Sequence, residues 1–112
     1  MCQLFAGIPT KNYDSETRSV RLSGHATSIR LEAAFWHVLE ELAADQAIPL
    51  SKFLTTLHDE VSELRGEARN FTSLLRCACL LHLESMATRR ADAKTGEIRR
   101  PAERPQDFRI AV

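Results

Sequence analysis

The chain has no long apolar run, no net charge and no paired-cysteine pattern, and each absence closes off a class of protein. No stretch approaches the roughly 20 apolar residues that cross a bilayer, and the first residues lack the basic region and apolar run of a secretory signal. The chain is therefore expected in the cytoplasm, with no membrane partner. Lys+Arg and Asp+Glu stand at 15 each, which argues against a strong non-specific polyanion binder, since phosphate affinity grows with the cations presented. The three cysteines, Cys2, Cys77 and Cys79, are an odd number without disulfide-framework spacing and fit reduced thiols.

Chemistry-bearing constellations are equally sparse. In Cys77-x-Cys79-x-x-His82 the two cysteines would point to nearly opposite sides of a helix, so only Cys79 and His82 could share a face, and structural zinc needs four ligands. His25, His37 and His58 stand at no recognisable spacing from acids or nucleophiles. Asp59, Glu60 and Glu63 read as a solvated helix face. The opening Met-Cys-Gln-Leu-Phe-Ala-Gly bears a faint likeness to the N-terminal-nucleophile glutamine amidotransferases, whose large two-sheet sandwich has no room in this helix-rich chain. The expectation is a non-enzyme without cofactor, catalytic residue or metal site.

What is present is amphipathic patterning. At 112 residues one domain with tails is expected, removing only roughly 65% of its unfolded surface from water, so part of the core is expected to come from a second subunit. Charge is segregated. Residues 1–31 carry +2, residues 32–67 carry −6 through Glu40, Glu41, Asp45, Asp59, Glu60 and Glu63 among others, and residues 68–112 carry +4.

Four segments follow. Residues 1–16 are an N-terminal segment in which Cys2-Gln3-Leu4-Phe5-Ala6 is compatible with a short strand before a loop rich in Pro, Asn, Asp and Ser. Residues 17–67 form the core. Within it Arg18 to Leu22 and Thr27 to Leu31 alternate polar and apolar around a Ser23-Gly24-His25 turn, and Ser-Val-Arg-Leu and Ser-Ile-Arg-Leu are near duplicates, read as a hairpin or as two strands of one ribbon. A first helix places Leu31, Phe35, Val38, Leu39 and Leu42 at helical spacing, with Glu32 suited to its amino end and Trp36 beside the stripe. A second carries Leu50, Phe53, Leu54, Leu57, Val61 and Leu64 at offsets 0, 3, 4, 7, 11 and 14, started by Pro49 and ended by Gly66. Residues 68–90 hold a third helix after Asn70. Residues 91–112, with Gly96, Pro101 and Pro105, are expected to form a flexible tail.

A short strand, a helix, a tight turn and a helix, with Thr27-Ser28-Ile29-Arg30-Leu31-Glu32 on the strand and Leu50-Ser51-Lys52-Phe53-Leu54 opening the second helix, resemble the ribbon-helix-helix family of bacterial DNA-binding proteins. The resemblance covers about residues 26 to 65. It implies a mainly α fold with a short β-ribbon, forming an intertwined homodimer, plus a C-terminal helix. Strands of two subunits would pair and enter the major groove of double-stranded DNA. With Ile29 and Leu31 inward, Ala26, Ser28 and Arg30 face the bases, Arg30 toward guanine O6 and N7. Phosphate would be held at the second helix by backbone N–H groups, Ser51 and Lys52. The dimer core would include Ile29, Leu31, Phe35, Leu54 and Leu57. The helix–helix turn, Ala47-Ile48-Pro49 in place of Gly followed by Ser or Thr, removes a capping hydroxyl and one N–H from that clamp. The function expected is sequence-specific transcription regulation. The alternative is a dimeric adaptor with a protein partner on the acidic helices, where DNA would be repelled.

Overall fold

The computed structural model describes residues 2–95. The segment expected as a short strand is instead helical: α1 (Cys2–Ala6) is followed by a short α2 (Thr10–Tyr13). A strand must find a neighbour for its backbone groups, whereas here Gly7 N–H donates to Gln3 O at 3.0 Å and closes the segment on itself.

The alternating pattern forms a hairpin, β1 (Ser15–Leu22) antiparallel to β2 (His25–Glu32), with Ser19 facing Ser28. The turn is only Ser23-Gly24, at φ 52° and 82°. Positive φ at both central residues is what a type I′ turn requires, and its twist matches that of the strands. Gly24 adopts it without a Cβ penalty. The strand expected to pair across subunits therefore has a partner within its own chain.

β2 leads without a break into α3 (Ala33–Asp45), with Glu32 extended at the N-cap and Ala33 N–H donating to Asp14 O at 2.9 Å. The inward face of α3 is Trp36, Leu39, Leu42 and Ala43, while Phe35 and Val38 are half-buried. This is rotated from the expected stripe because Trp36 points inward to donate a hydrogen bond to β1.

α3 ends with Ala47 in the left-handed region (φ 57°), Ile48 N–H bonded to Ala43 O at 3.1 Å and Ala47 N–H to Ala44 O at 2.9 Å. That is the Schellman arrangement, with alanine where glycine is easier. α4 (Leu50–Arg65) then starts from Pro49 at the N-cap and stops at Gly66 (φ 86°), whose N–H donates to Ser62 O at 2.8 Å. Its stripe is covered unevenly. Phe53 and Leu54 are buried, Leu57 and Val61 half-buried, and Leu64 is 79% exposed.

α5 (Phe71–Thr95) follows Asn70, itself at φ 54°. It runs past the expected end near residue 90, and the rest of the expected flexible tail lies outside the described residues. The chain divides by packing into two units, Met1–Arg76 and Cys77–Val112. The core of the first contains Leu31, Trp36, Leu39, Leu54 and Leu75, none more than 1% exposed. β1 and the first turns of α5 thus supply cover that was expected from a second subunit. In the described part of the second unit, Cys79 is buried and Cys77 exposed, as a two-residue helical spacing requires. Burial pushes the Cys79 thiol up to about 11. No helix among the described residues is long and apolar enough to cross a membrane.

Candidate nucleic-acid interface

Because strand side chains alternate, each strand of the hairpin presents one face to the helices and the other to solvent. Inward lie Leu22, Ile29 and Leu31, buried, with Val20 and Thr27 half-buried. Outward lie Thr17, Ser19 and Arg21 on β1 and Ala26, Ser28 and Arg30 on β2, all exposed. The three residues expected to read bases therefore share one open face. The register sets Ser19 opposite Ser28, Arg21 opposite Ala26 and Thr17 opposite Arg30. Sequence reasoning misses Ser19 and Thr17 and does not count Arg21 among the readers. The signal that points to Ser19 and Arg21 is the Ser-x-Arg-Leu duplication, once the two copies are paired; Thr17 follows only from the register.

The ribbon is fastened at both ends. At its open end Trp36 Nε1–H donates to Glu16 O at 2.8 Å, from a ring that is 1% exposed. At its turn end the Thr55 hydroxyl donates to Arg21 O at 2.9 Å, and Ser23 Oγ–H donates to Asp59 Oδ1 at 3.3 Å. His58, edge-on to Phe71 at 5.0 Å between ring centroids, lies against the same turn, its Nδ1 3.4 Å from Ser23 Oγ. Main-chain carbonyls of β1 are thus held by side chains of α3 and α4, and the outward side chains are left out of this fastening.

The three ribbon arginines differ in what holds them. Arg18 faces inward: its guanidinium bonds Glu16 at 2.6 Å and Glu40 at 3.0 Å and lies 4.6 Å from the Trp36 ring centroid. Burial acts against its charge, but the two carboxylates outweigh that and raise its pKa. This cation is already matched. Arg21 donates to Gly24 O at 2.9 Å, a weak tether at the exposed turn. Arg30 points outward, its charge acting on Glu32 two positions along the chain. Glu32 is taken by Arg76, at 3.0 and 3.3 Å, and these bonds hold its carboxyl below the usual carboxylate range. The arrangement leaves Arg21 and Arg30 as the cations on the outward face.

The remaining expected residues are less gathered. Ser51 and Lys52 stand exposed in the first turn of α4, where no side chain caps the helix. Of the residues expected in a dimer core, Ile29, Leu31 and Leu54 are at most 3% exposed within one chain, while Phe35 and Leu57 are half-buried. No cluster of three or more metal-ligating side chains occurs among the described residues.

A strand running directly into two helices, with arginine and serine on the open face of an antiparallel ribbon, has the element order of the ribbon-helix-helix class, here with both ribbon strands supplied by one chain. A family model described as ribbon-helix-helix domain matches residues 15–83, and the chain belongs to that family. Proteins built on this domain generally bind DNA as transcription regulators. Among solved structures, the chain is similar to an uncharacterized protein from Bordetella pertussis Tohama I, at 44% identity and a TM-score of 0.76. That similarity covers 79% of this chain and 70% of the Bordetella chain. No protein of curated function matches the present chain.

Proposed function

We propose that this protein is a homodimeric, sequence-specific DNA-binding regulator that lays the outward face of its β-ribbon in the major groove. The observation that carries this reading is the open row containing Ser28 and Arg30, displayed on a ribbon whose other side is buried and whose ends are fastened. A guanidinium there can give two parallel donors to guanine O6 and N7, and a serine can donate or accept. Pre-positioning matters because a reader held on a rigid scaffold loses less entropy on binding.

Ser51, Lys52 and the uncapped N–H groups of α4 are proposed to meet backbone phosphate, which positions the protein without reading sequence. The acidic residues of α3 and α4 must then stay away from the duplex, and this orients the ribbon as the approaching edge. Dimerisation is proposed through one face of α4, where Leu57 and Val61 are half-buried and Leu64 is exposed within one chain. Leu64 in particular leaves much of an apolar side chain in water, and a second protomer is the economical cover.

The test is a selection from genomic DNA fragments with the purified chain, followed by titration of Arg30→Ala against the selected site. The expected result is a defined site and a loss of about 1–3 kcal/mol in specific binding, with the dimer intact. A stable dimer that selects no sequence and co-purifies with a protein would replace this reading with the adaptor.

A further inference from the structure

The sequence repeats itself at the centre of the hairpin. Ser19-Val20-Arg21-Leu22 and Ser28-Ile29-Arg30-Leu31 begin at two residues that face one another and run in opposite directions. An antiparallel pair of strands has a local two-fold axis through each facing pair. In the register observed the axis relating the two copies passes through the exposed serine pair itself; a slip by two residues would move it to Val20 and Ile29, which point to the other face.

Burial follows the same symmetry. Leu22 and Leu31 are buried at 5% and 0%, and Ile29 is buried where Val20 is half-buried. Ser19, Ser28, Arg21 and Arg30 are all exposed. One chain alone therefore displays a central serine pair flanked by an arginine on either side. The symmetry fails at Arg18, whose mate is Thr27, but both lie on the inward face, and Arg18 is already held by Glu16 and Glu40.

We infer that the base-reading unit is this intrachain ribbon, so that a single protomer reads a short inverted repeat, with Arg21 and Arg30 contacting guanines on opposite DNA strands. The inference rests on the DNA-reading proposal and adds the form of the sequence read. Arg21 and Arg30 each lie two residues from the central pair, on opposite sides of it. At the rise of an antiparallel strand their Cα atoms are about 14 Å apart along the ribbon. That is roughly four base-pair steps at about 3.4 Å each. Thr17 and Ala26, the small outward residues facing Arg30 and Arg21, leave each guanidinium room to swing toward the groove floor.

The experiment is a selection of the full chain on randomised duplex DNA, followed by measurement of Arg21→Lys and Arg30→Lys on the selected site and on its single-position variants. Lysine keeps the charge and loses the planar two-donor geometry, so it spares phosphate attraction and removes base discrimination. The expected consensus contains an inverted repeat, and each variant loses roughly 5- to 150-fold discrimination at one of two symmetry-related positions. Both variants should melt with the parent, since both side chains are exposed. If Arg30→Lys loses discrimination while Arg21→Lys matches the parent, the ribbon reads from one strand only. DNA reading then stands and the intrachain symmetry is overturned. A selected site to which both variants are indifferent also overturns it, and no selected site at all removes the DNA-reading proposal beneath it.

Discussion

Trp36→Phe should loosen the ribbon at its open end, and the size of the effect can be built from three contacts. The substitution deletes the Nε1–H that donates to Glu16 O at 2.8 Å, a bond worth about 1 kcal/mol when it is part-buried. It removes the five-membered ring from a site that is 1% exposed, costing about 1 kcal/mol in transfer and residual cavity. It also weakens the Arg18 contact over the ring, at 4.6 Å, by about 0.5 kcal/mol, because phenylalanine is a poorer partner than tryptophan for a cation. The total of about 2–3 kcal/mol corresponds to a drop of roughly 10–20 °C in melting midpoint for a unit of this size. Far-ultraviolet circular dichroism is the assay, since the variant has lost the chain's single tryptophan. Thr55→Val at the turn end is the comparison: it too removes a carbonyl capture, of Arg21 O at 2.9 Å, but at an exposed position where water replaces the bond. Its cost should be about 0.5 kcal/mol. A midpoint for Trp36→Phe within about 3 °C of the parent would refute the view that Trp36 fastens the hairpin.

Ala47→Gly should stabilise the chain by about 0.5–1 kcal/mol, because glycine removes the left-handed penalty at φ 57° and part of that gain is offset by a more flexible unfolded chain; chemical denaturation reads it, and a destabilised variant would show that the α3 cap is unstrained. For Glu32, whose carboxyl is held low chiefly by hydrogen bonds from Arg76, the folded state releases the proton more readily than the unfolded one, so the contribution is full above the unfolded value of about 4.3 and is lost as pH falls through the folded one. Stability profiles of the parent and Glu32→Gln, measured by denaturation across this acid range, should therefore converge toward low pH, whereas parallel profiles would mean that the Arg76 contact does not favour the ionised carboxyl in the folded state.

The order strand, helix, turn, helix was legible because each element carries its own period: alternation in Thr27 to Leu31 and 3.6-residue spacing from Leu50 to Leu64. Gly66 as the stop of α4 was legible for the same local reason. Less local features were not. Alternation says which side chains share a face and nothing about which strand lies alongside, so a partner subunit and Ser15–Leu22 were equally compatible neighbours for β2. The orientation of α3 departs from its apolar stripe by about one position because Trp36 turns inward for a hydrogen bond to a residue 20 positions earlier, a contact that no apolar pattern contains. Of the outward face, Ser28 and Arg30 were readable from their alternation with Ile29 and Leu31. Ser19 needed the register, which the two-residue Ser23-Gly24 turn sets.

Joining β1 to β2 through that turn makes the ribbon a product of unimolecular folding. A ribbon assembled from two subunits exists only to the extent that the subunits have met, so at scarce copy number it dissolves along with the dimer. Here the strand pairing is made within one chain and does not itself call on a second subunit. Sensitivity to abundance would enter only where protomers associate, and the outward face proposed to read DNA would be laid out before they do.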